Sequence, residues 1–173
     1  MDANDQVLIR CEILPVALID GRVIHLRPER PWWVYQPPGL HPTTVVAAAL
    51  ARALGAAYDS SGTLVHSTSW RFDDGRLILT FLALLPVASS LTCPPGFSLV
   101  EVSPHAMPAE PSVISVAQVV AHGLRHFALL RLTDPQIAGT LADQWHQALA
   151  GWAPLPAGLL DHYGVLAGAG RPG

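Results

Sequence analysis

The sequence contains no lysine; its ten basic residues are all arginine. Charge of either sign is scarce, at 13% of 173 residues where roughly 25% is ordinary. Thirteen acids leave a net charge of −3, which excludes a broad phosphate-tracking surface and a nucleic-acid partner. Cysteine is nearly absent: Cys11 and Cys93 allow one disulfide at most and lack metal-type spacing. No apolar run reaches the ~18 residues of a membrane span. The longest, Leu77 to Ala88, has twelve residues and is interrupted by Thr80 and Pro86. The first residues, Met1-Asp2-Ala3-Asn4-Asp5, are acidic where a signal peptide is basic. A cytoplasmic protein with no membrane partner is expected.

Half of the residues are hydrophobic, which excludes a disordered chain, and the apolar spacing never settles into heptads. Fourteen Gly and sixteen Pro punctuate the sequence heavily. The length suits one domain over 1–173, with a core at about 7–152 and a tail at 153–173. So little charge leaves apolar surface on a small chain, so a homodimer is expected.

Val7 to Ile19 reads as a strand, and Asp20-Gly21 as a hairpin turn before a return strand from Arg22 to Leu26. Arg27 to Pro42 carries five prolines and the run Trp32-Trp33-Val34-Tyr35, which predicts a stiff loop with an aromatic knot. Thr43 to Leu54 is a helix capped by Thr43 or Thr44 and ended by Gly55. Apolar nearly all round, it is expected to pack on more than one side. A second hairpin joins Thr63–Trp70 to Arg76–Leu85 through Asp73-Asp74-Gly75, the later strand central and covered on both faces. Phe97 to Val102 is a further strand. Val116, Val119, Val120, Leu124, Phe127 and Leu130 form one helical stripe. Ile137, Leu141, Trp145, Ala148 and Trp152 form a second, opened by Thr133-Asp134-Pro135-Gln136. The order describes an α/β/α sandwich around a mixed sheet, with two C-terminal helices.

Asp20-Gly21-Arg22-Val23, then Trp33 with Pro38-Gly39, then an Ala-rich helix ending at Gly55 and a long hairpin, resembles the Nudix hydrolase domain over roughly 7–150. That resemblance implies a Nudix-like fold and a substrate cleft bordered by the segment around Trp33. It also implies a helix whose clustered Glu residues hold Mg²⁺, a hard cation needing oxygen ligands. Laid back from Gly55, those positions read Ala48-Ala49-Leu50-Ala51-Arg52-Ala53, without a carboxylate. The expectation is a degenerate Nudix box, no catalytic residue and no cofactor.

Arg27, Arg30, Trp32, Trp33 and Tyr35 place guanidinium groups beside aromatic faces, a combination that can stack a base and hold a phosphate. They are the candidate site for a small anionic ligand; a Trp pair covering a sheet edge or a subunit contact explains the same residues. His122 and His126, four apart, have Zn²⁺-ligand spacing, with His146 or His162 as a third ligand. Together with Gln118 and Arg125 they also form a solvated polar face, the reading preferred here, so no metal is expected. Asp73-Asp74 suit a turn, and Glu101 ends a strand. Neither a Gly-x-Ser-x-Gly elbow, nor a P-loop, nor Gly-x-Gly-x-x-Gly occurs. Three functions stand: a non-catalytic Nudix-like domain binding a nucleotide-like ligand or a protein; a divergent phosphoanhydride hydrolase using Glu101, Asp73 or Asp74; and a pure assembly module.

Overall fold

A computed structural model describes residues 8–55, 58–88, 92–104 and 115–157. Strand β1 (Ile9–Ile19) turns at Asp20-Gly21 into β2 (Arg22–Pro28). Both turn residues have positive φ, 49° and 74°, the two-residue turn whose twist matches flanking strands. Asp74-Gly75 repeats the device, at 46° and 70°, between β4 (Leu64–Asp73) and β5 (Arg76–Leu84). Strand β3 (Trp33–Tyr35) lies inside the expected loop, and β6 (Phe97–Glu101) follows the Cys93-Pro94-Pro95-Gly96 turn. The sheet order is β4-β5-β1-β2-β6, with β3 beside β1. β1 and β5 are parallel and the other pairs antiparallel, so the sheet is mixed. The strand at the centre of the sheet is β1, and β5 is the interior strand beside it, buried at Ile78 and from Thr80 onward and half-buried at Leu77 and Leu79.

Helix α1 (Pro42–Leu54) begins one residue before the expected start. Pro42 supplies a helical φ and lacks an N–H that would go unpaired, and His41, rather than Thr43 or Thr44, caps it by accepting from the Thr43 N–H. It buries one face, through Val46, Ala49, Leu50 and Leu54, while Ala48, Ala51 and Ala53 are exposed. Packing on more than one side does not occur; the outer alanines serve helix propensity rather than a second contact.

The C-terminal part holds three helices, not two: α2 (Val116–Thr133), α3 (Pro135–Thr140) and α4 (Asp143–Ala150). Ser115 and Gln118 form a reciprocal capping box on α2. Asp134 ends α2 and caps α3, its carboxylate accepting from the N–H groups of Gln136 and Ile137. Leu141 is extended (ψ 131°) and breaks the second stripe just after Gly139. A poor helix former at that place makes the break cheap, and His146 Nε2 meets the Ala138 carbonyl at 2.9 Å across it. The break still lets Leu141, Trp145 and Trp152 reach the core.

Alternation along the strands makes two cores. Cys11, Ile13, Ala17 and Ile19 meet α1, while Leu14, Val16 and Leu18 meet α2 and α4. The result is an α/β/α sandwich. Helix α2 crosses the sheet closely at Gly123, where an added Cβ would lie 3.2 Å from Leu82 and 3.3 Å from Thr68. Gly123→Val is expected to lower unfolding free energy by ~1–3 kcal/mol through overpacking. An unchanged urea midpoint would show that α2 stands further from the sheet. Among the described residues no helix is long and apolar enough to cross a membrane. The expected acidic start, most of the tail from 153, and His162 lie outside the described residues.

Candidate functional site

The aromatic segment does not form a knot. In β3 successive side chains take opposite faces, so Trp32 and Val34 pack on the α1 core, and Trp32 meets Phe97 edge-on at 5.6 Å. Trp33 and Tyr35 stand on the other face, in register with Glu12 and Arg10 of β1. There the guanidinium of Arg10 lies 4.2 Å from the Trp33 ring centre and 5.1 Å from that of Tyr35. Its Nη2 donates to the Tyr35 hydroxyl at 2.7 Å. Arg10 is 8% exposed and its buried Nε has no hydrogen-bond partner among the described residues, whereas Trp33 and Tyr35 are 37% and 56% exposed. A buried, incompletely paired cation thus underlies two accessible rings.

Glu12 continues the same face. Arg71 of β4 grips its carboxylate with two donors, at 2.9 and 3.2 Å. The Thr80 hydroxyl adds a bond at 2.8 Å and Trp33 Nε1 a longer one at 3.4 Å. Burial alone would raise the Glu12 carboxyl, but the Arg71 charge and these donors hold it below the ordinary carboxylate value. The carboxylate is saturated with donors and stays ionised, which suits positioning of Trp33 more than proton transfer.

Arg27 and Arg30 do not provide the guanidinium of this cluster. Arg27 is exposed and turns Nε toward Ser98 Oγ at 3.4 Å, and Arg30 is exposed. Arg10, Glu12, Arg71 and Thr80 were not singled out from the sequence. Their signal was the polar alternation of Arg10 and Glu12 with buried Cys11 and Ile13, at the end of β1 beyond the helical cover.

The expected solvated face of α2 is overturned. His122 and His126 are each 7% exposed, because that side of α2 meets β4, and Leu155 N bonds the Arg125 carbonyl. The His126 ring stacks on His66 of β4 at 5.5 Å. Burial lowers all three imidazoles below their ordinary value, and the mutual charge effect with His126 pushes His66 and His122 the same way. Among the described residues no group of three His, Cys, Asp or Glu side chains is placed to hold a metal ion.

The remaining acids are scattered. Asp74 pairs with Arg76 at 3.4 Å in the β4–β5 turn, and exposed Glu101 with Arg22 at 3.8 Å. β4 and β6 are opposite edges of the sheet, four strand spacings or about 19 Å apart, so Asp73 or Asp74 and Glu101 cannot share one cation. Cys11 is fully buried and its thiol is pushed up by that burial, and both cysteines are free. A cleft of about 590 Å³ between the Asp20-Gly21 turn and α4 is lined by Gln144 and Gln147 as well.

No protein-family model matches the sequence, and no curated protein does. Among solved structures, a MutT/nudix family protein from Enterococcus faecalis aligns over 94% of this chain and 78% of its own, with TM-score 0.57 and 7% identity. The Ap4A hydrolase of C. elegans aligns over 56% of this chain and 81% of its own, with TM-score 0.43 and 12% identity. With its mixed sheet held between α1 and the C-terminal helices, the chain has a Nudix-like α/β fold.

Proposed function

We propose that this chain is a non-catalytic Nudix-like domain of the cytoplasm that binds a small planar anion, of the nucleoside phosphate class, as a homodimer. The observation that carries it is Arg10: a nearly buried guanidinium beneath two exposed rings, its Nε unpaired among the described residues. Arginine beside aromatic faces supports stacking of a base together with an anion contact. Trp33 and Tyr35 come from the segment singled out in the sequence, and Trp32, held against Phe97, serves the core instead. Helix α1 contains no carboxylate from Pro42 to Leu54, so a hard cation finds no anionic oxygen ligand on it. Two free thiols agree with a reducing compartment.

Calorimetric titration with adenosine diphosphate and with inorganic pyrophosphate tests the site. The nucleotide is expected to bind, and Trp33→Ala to weaken it about five- to a hundredfold, a ~1–3 kcal/mol loss of stacking. Equal affinity in the variant would remove the assignment. Incubation of nucleoside diphosphate derivatives with Mg²⁺ or Mn²⁺ is expected to release no phosphate. Turnover that stops with chelator would instead make the protein a hydrolase.

A further inference from the structure

We infer that the open edge of β4 joins two copies of this chain into one continuous sheet, with Trp70 of each copy opposite Phe72 of the other. The inference rests on the homodimer of the preceding reading and gives it a surface. β4 ends the sheet and pairs only with β5. Along its other side the outward N–H and C=O groups of a ten-residue strand lack a strand partner among the described residues. Edges of that kind are usually blunted by brevity, Pro, Lys or a bulge. β4 is longer than the common strand of ~5–6 residues, has neither Pro nor Lys, and has its register shift between Ser67 and Ser69. The stretch from Ser69 to Asp73 is therefore regular and open.

That stretch is also apolar on one face. Trp70 and Phe72 are 64% and 63% exposed, two residues apart and so on the same side, backed by half-buried Leu79 and Leu77 of β5. Antiparallel self-pairing about a twofold axis at Arg71 sets Trp70 against the partner's Phe72, twice. It also sets Ser69 against the partner's Asp73, which has no ion pair among the described residues of its own chain. The two Arg71 side chains face each other, but each is already neutralised by Glu12 of its own copy at 2.9 Å. This choice of axis keeps the pairing clear of the Ser67/Ser69 irregularity.

The area lies near the lower limit for a specific pair. Four aromatic side chains of ~150–250 Å² each, nearly two-thirds open, contribute on the order of 400–600 Å². With the paired backbones this approaches the ~1,000 Å² of a specific interface.

Light scattering on the full chain at 1–100 µM is expected to give the dimer mass for the wild type. The double variant Trp70→Lys, Phe72→Lys is expected to give the monomer mass and to remain folded, because both side chains are exposed within one copy, with a melting temperature that no longer depends on protein concentration. A monomeric wild type overturns the homodimer itself. A dimeric wild type with a dimeric, folded double variant overturns only the β4 surface. Should that variant not fold, Trp70→Cys and Phe72→Cys, each in a Cys93→Ser background, are mixed and oxidised. Cross-linking mainly between the two different variants supports the register, and cross-linking within each variant alone, or none, overturns it. Nucleotide titration of the same variants is read separately, since the Arg10 face lies on the other side of the sheet.

Discussion

Stability is expected to fall steeply as the pH drops below ~6.5, the ordinary imidazole value. Four histidines carry this. His66, His122 and His126 meet between β4 and α2, and His25 is 1% exposed in β2. Burial holds every one of them below 6.5. Each is neutral in the folded chain and protonates more readily in the unfolded one. Its contribution is present above ~6.5 and is lost as the pH falls from there through the lowered folded value. Between its lowered folded value and its ordinary one, each such group makes stability fall with falling pH by at most ~1.4 kcal/mol per pH unit, and the three that share the α2–β4 contact titrate as a coupled set. The neighbours act both ways: Arg125 disfavours a charge on His122 and Arg27 one on His25, while the Pro15 carbonyl favours one on His25, the Leu155 backbone one on His126 and Asp134 one on His66, and burial outweighs all three. Buried Nε2 of His25 and His122 and Nδ1 of His126 have no hydrogen-bond partner among the described residues to stabilise an added proton. Urea unfolding between pH 5 and 8 should show the slope, and His126→Gln should reduce it by about one group's share. A flat profile down to pH 5 would mean that water reaches the α2–β4 contact.

The histidines show where reading the sequence stops. Spacing at 122 and 126 puts both side chains on one side of a helix. The solvated reading came from counting Gln118 and Arg125 as neighbours. Whether that side meets water is decided by β4, about fifty residues earlier, and by the Leu155 strap. The aromatic segment failed for the complementary reason. Trp32 and Trp33 are adjacent, but a three-residue strand splits them between faces, and no local pattern announces so short a pairing. Local chemistry was legible. Both Asp-Gly turns, Gly55 as the stop of α1, and the α2 stripe follow from backbone preferences that need no distant partner. Arg10 and Glu12 sat in plain alternation, yet their partners Arg71, Thr80 and Tyr35 come from three other strands. The fold was readable from order and period, whereas the site depended on the register between strands.

Register also decides the fate of α4, and Trp145→Ala is expected to lower unfolding free energy by ~3–5 kcal/mol. An eight-residue helix is too short to hold itself in water, and Ala142 gives α4 no side-chain cap. What fixes it is burial of Trp145 and Leu149, 3% and 0% exposed, in the core of Leu82, Leu84 and Phe127. The indole Nε1–H donates to the Leu85 carbonyl at 2.9 Å, in a buried bond that ties α4 to the end of β5. Removing the ring opens a cavity and orphans that carbonyl, each a recognised cost, and the second alone is ~1–3 kcal/mol. Trp145→Phe keeps most of the volume and loses only the donor, so its loss should be about 1–2 kcal/mol. The ordering of the two variants separates packing from the hydrogen bond. Equal losses would place the whole effect on the Leu85 contact. Losses below ~0.5 kcal/mol in both would show that α4 is not docked at all. In that event Trp152 and Leu141, which reach the same core from either side of α4, would have to hold the C-terminal layer on their own.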